Sequence, residues 1–264
     1  MIRASLNPIR IALGIEYDGT AYNGWQRQKT GLGVQQLIEE ALTSFANATV
    51  TVTCAGRTDT GVHATGQVVH FDTENARSER GWQLGANSHL PDDINVTWAK
   101  RVDDEFHARF SATGRGYRYR ILNREQRSAL YRHRAWWVQR PLDEQRMQEA
   151  AELLVGKHDF SSFRAAGCRA ATAVREITGI SIRRDGHWVT ASISANAFLQ
   201  HMARNIMGSL VAVGTGEESS QWLQAVLAAR DRRKGGMAAP AHGLTLVSVD
   251  YPQAFEIPDA LTSY

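Results

Sequence analysis

The sequence predicts an α+β protein made of two ferredoxin-like β-α-β-β-α-β units, with mainly antiparallel sheets and a cleft between them. Three observations lead there: alternating apolar runs separated by segments of helical period, the same element order met twice in 264 residues, and a turn dipeptide joining two alternating runs in the second half. The boundary is expected near residue 105, giving a unit over 1–105 and a second over 106–264.

In the first half Ile9, Ile11, Leu13, Ile15 and Tyr17 alternate with Arg10, Ala12, Gly14 and Glu16, the pattern of a half-buried strand ended by Asp18-Gly19. Val34, Leu37, Ile38, Ala41, Leu42 and Phe45 then recur at helical spacing and predict an amphipathic helix over about 34–46. Strands are predicted at Thr49 to Cys54 and Gln67 to Asp72, a short helix near Arg80 to Asn87, and another strand from Val96 through Trp98 and Lys100. The second half repeats the order. Tyr117, Tyr119 and Ile121 share one strand face, a helix spans Asp143 to Leu154 with Gly156 as its stop, and Asp185-Gly186 joins the runs around Ile180 and Ile193 into a hairpin. A helix from about Phe198 to Val213, an added helix near Gln221 to Arg230 and a last strand from Leu244 to Tyr251 complete it.

Composition narrows the function classes. Hydrophobic residues at 43% and charged residues at 22% are those of an ordinary folded protein, and two cysteines, Cys54 and Cys168, are too few for a disulfide framework or a cysteine zinc site. A reducing, cytoplasmic setting is expected. Residues 1–10 have no apolar signal core, and the longest uncharged apolar stretch, Asn205 to Gly216, falls short of the ~20 residues that cross a bilayer, so no membrane association is expected. The net charge is only +3, yet Arg109 to Arg134 holds eight arginines against the single acid Glu125. All but four of the thirty basic residues are arginine, whose planar fork suits phosphate, so a polyanionic partner is favoured.

The densest polar run is Cys54-Ala55-Gly56-Arg57-Thr58-Asp59-Thr60-Gly61-Val62-His63-Ala64, a loop between two predicted strands. Gly56 and Gly61 allow positive φ or close backbone approach, and Arg57 and Asp59 set opposite charges two residues apart. On physics alone a tight turn with a surface ion pair explains this run as well as an active site does. Between Leu199 and Gly216 the only formal charge is Arg204, in a largely apolar helix. A buried guanidinium needs an ionised partner, and Asp59 is the candidate; the alternative is an Arg204 at the helix start that reaches water.

Tyr17-Asp18-Gly19-Thr20 with Gly24-Trp25-Gln26, Ala55-Gly56-Arg57-Thr58-Asp59 with Gly61-Val62-His63-Ala64, His107-Ala108-Arg109-Phe110-Ser111-Ala112 with Tyr117-Arg118-Tyr119, and Asn196-Ala197-Phe198-Leu199 with Met202, Arg204, Asn205 and Gly208 resemble the tRNA pseudouridine synthase A family. Four blocks in the same order span nearly the whole chain. The resemblance implies isomerisation of uridine to pseudouridine in the anticodon stem-loop of tRNA, at positions 38, 39 and 40, by a homodimer without cofactor or metal. It implies Asp59 as the catalytic aspartate, Arg204 as its basic partner, Arg57 as the arginine of base flipping, Tyr117 as the tyrosine stacked on the target uracil and Leu246 in the wall beside it. Phe106, His107, Ala108, Arg109 and Phe110, with Gly167, Cys168, Arg169, Ala170 and Ala171, match segments that contact tRNA. The chain departs from the family in having Thr245 where an aromatic is common and Ala173 where proline is common.

Whether Asp59 adds to C1′ or takes a proton from C2′ stays open at this point. Two other classes compete with the isomerase. A metal-dependent RNA hydrolase would use Asp59 with His63, or His70 with Asp72, as half-sites, but no HExxH-like pair lies on one helix. A non-catalytic RNA-binding module would explain the arginines and leave Asp59 unexplained.

Overall fold

The computed structural model describes residues 8–260 and forms two compact units, one holding the chain up to Thr113 together with Leu246 onward, the other Gly114–Thr245. Residues 1–7 and part of the N-terminal stretch read for a signal lie outside the described residues. The class is α+β with mainly antiparallel pairing.

In the first unit β1 (Ile9–Tyr17) is the central strand, antiparallel to β3 (His63–Thr73) and to β4 (Ile94–Val102), with Leu13 opposite Val69 on one side and Ala99 on the other. The two-residue β2 (Thr53–Cys54) pairs with the far edge of β3, which gives the split βαβ order. α1 (Val34–Ala46) turns Val34, Ile38, Ala41 and Leu42 inward, and α2 (Glu79–Asn87) starts on the Ser78 side chain, which accepts from Gly81 N at 3.0 Å. Trp82 of α2 is fully buried, edge-on to Phe45 and Phe71.

β1 is predicted half-buried and is found buried on both faces. Ile11, Leu13 and Ile15 lie in the core, while Ala12 joins Val68, Phe106 and Ala108 in a second cluster covered by Trp98, Tyr251, Phe255 and Ile257. The reason is size. Gly14 lets the Trp98 indole lie flat on the strand, where a Cβ would come within 2.2 Å of its nitrogen, and the segment after the last strand fills the rest. The predicted strand over Thr49 to Cys54 shrinks to two residues because Val52 N is taken by the Glu39 carboxylate at 3.0 Å in place of a strand partner.

In the second unit β5 (Gly114–Asn123), β9 (Trp188–Ala195), β8 (Val174–Asp185) and β7 (Gly156–Asp159) run in that order, each pair antiparallel, with β6 (Trp136–Val138) parallel to β5. One face presents Tyr119, Ile121, Val189, Ala191, Ile193, Ile180 and Ile182, all buried; the other carries Arg118, Arg120, Thr190, Ser192, Ser181 and Arg183. α3 (Glu144–Glu152), capped by Asp143, α4 (Met202–Gly214) and α5 (Ser220–Ala229) complete the unit, and β10 (Leu244–Asp250) begins in it. β6 and β7 are too short to show a period and escape the sequence reading. α4 starts at Met202 and not at Phe198, since His201 is in the left-handed region (φ 62°) and breaks the helix there.

Candidate active site

The loop from Ala55 to Val62 is held from two sides within the first unit. Trp25 N donates to Thr58 O at 3.0 Å, and Tyr17 Oη and Thr58 Oγ1 share a buried hydrogen bond of 2.8 Å. Gly19 N donates to His63 Nδ1 at 3.0 Å, while the Gln67 side chain, fully buried, donates to Gly56 O at 2.6 Å and accepts from Gly56 N at 3.3 Å. Side chains are excluded where the two segments meet. A Cβ on Gly19 would lie 2.0 Å from Val62 O, and one on Gly24, whose φ is +89°, would lie 2.7 Å from Thr58 O. The blocks at Tyr17 to Thr20 and Gly24 to Gln26 are thus the clamp for the block at Ala55 to Ala64. Gly61 takes the left-handed conformation the sequence allows for it (φ 77°), whereas Gly56 has neither a positive φ nor a close neighbour, so its expected backbone role is absent. The clamped loop leaves Arg57 exposed and Asp59 half-buried.

A second polar structure in this unit is the turn from Phe106 to Ser111. Phe106 is fully buried against Tyr251 and Phe255, at ring distances of 5.1 and 5.3 Å. Ala108 N donates to His70 Nδ1 at 3.1 Å and Ala108 O accepts from Tyr251 Oη at 2.6 Å. Burial and the nearby Arg10 guanidinium push the His70 imidazole down to about 4, so the ring is neutral and free to accept. Arg10 itself donates to Phe106 O at 2.9 Å and pairs with Asp72 at 2.7 Å. His107 and Ala108 face inward, and Arg109 and Phe110 are exposed. In the two pairs that the sequence offers as metal half-sites, His63 accepts from Gly19 N, His70 from Ala108 N and Asp72 from Arg10. Among the described residues no three His, Cys, Asp or Glu side chains gather as a metal would need.

In the second unit Tyr117 lies on β5, 9% exposed and edge-on to Phe198 at 4.8 Å. Arg204 stands in the first turn of α4, half-buried, and is tied to the segment before β10, its Nε donating to Ala239 O at 2.8 Å and its carbonyl accepting from Ala239 N at 3.0 Å. Because the helix starts at Met202, Arg204 is a first-turn residue and only partly buried, closer to the alternative of a helix-start arginine than to a buried charge. Gly167, Cys168, Arg169, Ala170 and Ala171 form an irregular loop before β8, with Gly167 and Arg169 exposed and Cys168 N donating to Ala165 O at 3.1 Å. Leu246, fully buried on β10, belongs to the first unit.

Residues 14–111 and 150–252 match the family model described as tRNA pseudouridine synthase. Curated relatives named tRNA pseudouridine synthase A include one from Coxiella burnetii, 55% identical over 94% of this chain and 95% of its own, and one from Pseudoalteromonas atlantica, 52% identical over 95% of each. Another, from an Enterobacter strain, is 51% identical over 98% of this chain and 96% of its own.

The chain belongs to the tRNA pseudouridine synthase A family.

A chain of a crystallised Cbf5-Nop10-Gar1 complex also aligns, with a TM-score of 0.38 at 11% identity over 89% of this chain and 48% of that one, and nothing about this synthase-family chain follows from so slight a likeness. The family match places Arg57, Asp59 and the turn at 106–110 in its first stretch, and 167–171, Arg204 and Leu246 in its second, with Tyr117 in the interval between. Several residues that shape the synthase-family loops carry no motif signal. Gln67 and Tyr251 read in sequence as members of a strand or a strand end, and His70 as half of a metal site; only their hydrogen bonds disclose that they hold Gly56 and Ala108.

Proposed function

We propose that this chain isomerises uridine to pseudouridine in the anticodon arm of tRNA, at positions 38, 39 and 40, with Asp59 as the catalytic carboxylate and no cofactor. Membership of the tRNA pseudouridine synthase A family supports the reaction and its substrate class. The observation that carries the residue assignment is the clamped loop. It fixes the backbone of Thr58 and Gly61 from outside while leaving a half-buried carboxylate and an exposed guanidinium two residues apart.

The reaction breaks the C1′–N1 bond, turns the uracil and forms a C1′–C5 bond; the proton leaves C5 and N1 gains one, so no water, redox partner or energy source is consumed. Asp59 acts at the ribose, either adding to C1′ or taking a proton from C2′, and both versions require its negative charge. Arg57 fills the stack vacated by the extruded base. Tyr117 stacks on the flipped uracil, Leu246 lines the wall beside it, and Arg204 serves as the basic partner of the catalytic aspartate, the roles that membership of the family supports. The segments 106–110 and 167–171 contact the tRNA.

The reading includes a homodimer working in the cytoplasm. Two free thiols suit a reducing compartment, Cys54 being pushed up to about 12 by burial and therefore inert. Among the described residues no helix is long and apolar enough to cross a membrane. The deciding experiment incubates purified protein with unmodified tRNA and maps pseudouridine; modification absent from positions 38, 39 and 40 would refute the site assignment, and modification absent altogether would refute the reaction. Sedimentation of the same preparation reads the dimer.

A further inference from the structure

Phe110 is 75% exposed, yet it is no loosely held side chain. Its ring lies on that of His107, at 4.4 Å between centroids and 30° between planes, and the His107 ring in turn meets His70 at 4.8 Å. The His107 ring cannot turn without loss, because its Nδ1 accepts from both Arg109 N and Phe110 N, at 3.2 and 3.1 Å. The backbone beneath is fastened equally. His107 N donates to Ser111 Oγ at 3.0 Å, Ser111 N to His107 O at 2.9 Å, Ala108 N to His70 and Tyr251 Oη to Ala108 O. The Arg109 guanidinium lies over the Phe110 ring, 5.4 Å from its centroid, at the end of a long exposed side chain that an incoming base can displace toward its own phosphate.

A single exposed aromatic is ordinary on a protein surface. What sets this one apart is that the His107 ring against it and the backbone beneath it are held by a hydrogen-bond network, with a cation over the ring and nothing of the core depending on it. A flat partner docking there meets a ring with little rotamer freedom left to lose, and a base with its phosphate matches both the ring and the guanidinium.

We infer that Phe110 is a prebuilt platform on which an unpaired nucleobase of the substrate RNA stacks, and that Tyr251 is its positioning residue. The inference rests on the reading of segment 106–110 as an RNA contact and adds how that contact is made. Tyr251 acts at a distance, through Ala108 O and through its ring against Phe106. Leucine at 110 keeps apolar bulk without a π-face, and tryptophan keeps the face.

The test uses the full chain and an unmodified tRNA transcript, with Kd measured across a salt series. Phe110→Leu is expected to weaken binding by about 5- to 150-fold, the range of base stacking on an aromatic, with the salt slope unchanged. Phe110→Trp should restore it, and its added emission, read against the parent with seven tryptophans, should be quenched by tRNA. Tyr251→Phe, which keeps the ring on Phe106, should weaken binding severalfold, with the loss in KM and not in kcat. If Phe110→Leu binds like the parent while Arg109→Ala lowers the salt slope by about one counterion, the turn touches RNA and stacking is overturned. If both variants bind like the parent, the RNA-contact reading falls and this inference with it. A Phe110→Leu variant that changes the sedimenting mass and leaves tRNA affinity alone would assign the ring to a protein contact and overturn the proposal as well.

Discussion

Asp59→Asn preserves the volume of the side chain, removes its charge and turns one accepting oxygen into a donating NH2, so it separates chemistry from architecture at the clamped loop. Its backbone carbonyl, which accepts from Val62 N at 3.1 Å, is untouched, and so is the Thr58 contact to Tyr17. Tritium release from tRNA carrying 5-tritiated uridine should be undetectable, while thermal unfolding and tRNA binding of the same preparation stay near the parent; release at the parental rate would overturn the catalytic assignment. Arg57 is exposed, so Arg57→Ala should fold normally. It is expected to bind tRNA as the parent does and to turn over about tenfold more slowly or worse, equivalent to ~1.4 kcal/mol at the flipping step. A substrate with its target uridine mismatched should recover part of that rate, and parental turnover on normal tRNA would sink the role.

At the scale of elements, two contacts decide where functional side chains stand. Gly208 of α4 admits the backbone of the segment ahead of β10, because a Cβ there would lie 1.7 Å from Met237 O, a backbone atom with no freedom to swing away. Gly208→Ala should lower stability by about 1 to 3 kcal/mol, measured by urea unfolding. It should also reduce activity more than stability explains, since Ala239, two residues on, holds Arg204 by two hydrogen bonds. Unchanged activity in folded Gly208→Ala would detach Arg204 from the mechanism. Glu39 in α1, 2% exposed, accepts from Val52 N, from Gln35 at 2.9 Å and from Arg27. Glu39→Ala should cost about 1 to 3 kcal/mol, chiefly because Val52 N loses its buried acceptor.

For the molecule as a whole, acid and salt give the readouts. His70 titrates near 4 when folded and near its ordinary 6.5 when unfolded, so between those values the unfolded chain binds the extra proton. Stability from this group is therefore complete above about pH 6.5 and falls as the pH drops toward 4, by up to about 3 kcal/mol. Thermal unfolding followed across that window should show a shallower pH dependence in His70→Gln, which can still accept from Ala108 N; an unaltered slope would remove His70 from the account. The arginine excess from Arg109 to Arg134 predicts tRNA affinity that falls steeply with salt, and a salt-independent Kd would contradict the RNA assignment.

Local pattern determined much of this protein. The period-2 and 3.6-period runs place every strand and α-helix from β1 to α5 except β6 and β7, because burial of one face leaves its mark within a few residues. The motif blocks around Arg57, Asp59, Tyr117 and Arg204 mark a candidate site through their resemblance to the family, where charge and glycine spacing alone fit a surface ion pair equally well. Tertiary structure decided what connects distant positions. Tyr251 reaches Ala108 across 143 residues, and the segment after β10 covers the cluster that holds Ala12 of the first strand. It also decided that Glu39, polar and unremarked in a helix pattern, is buried for the sake of Val52. No periodicity encodes such pairs: a hydrogen bond between two elements depends on where both come to rest, and that is fixed only when the whole core has packed.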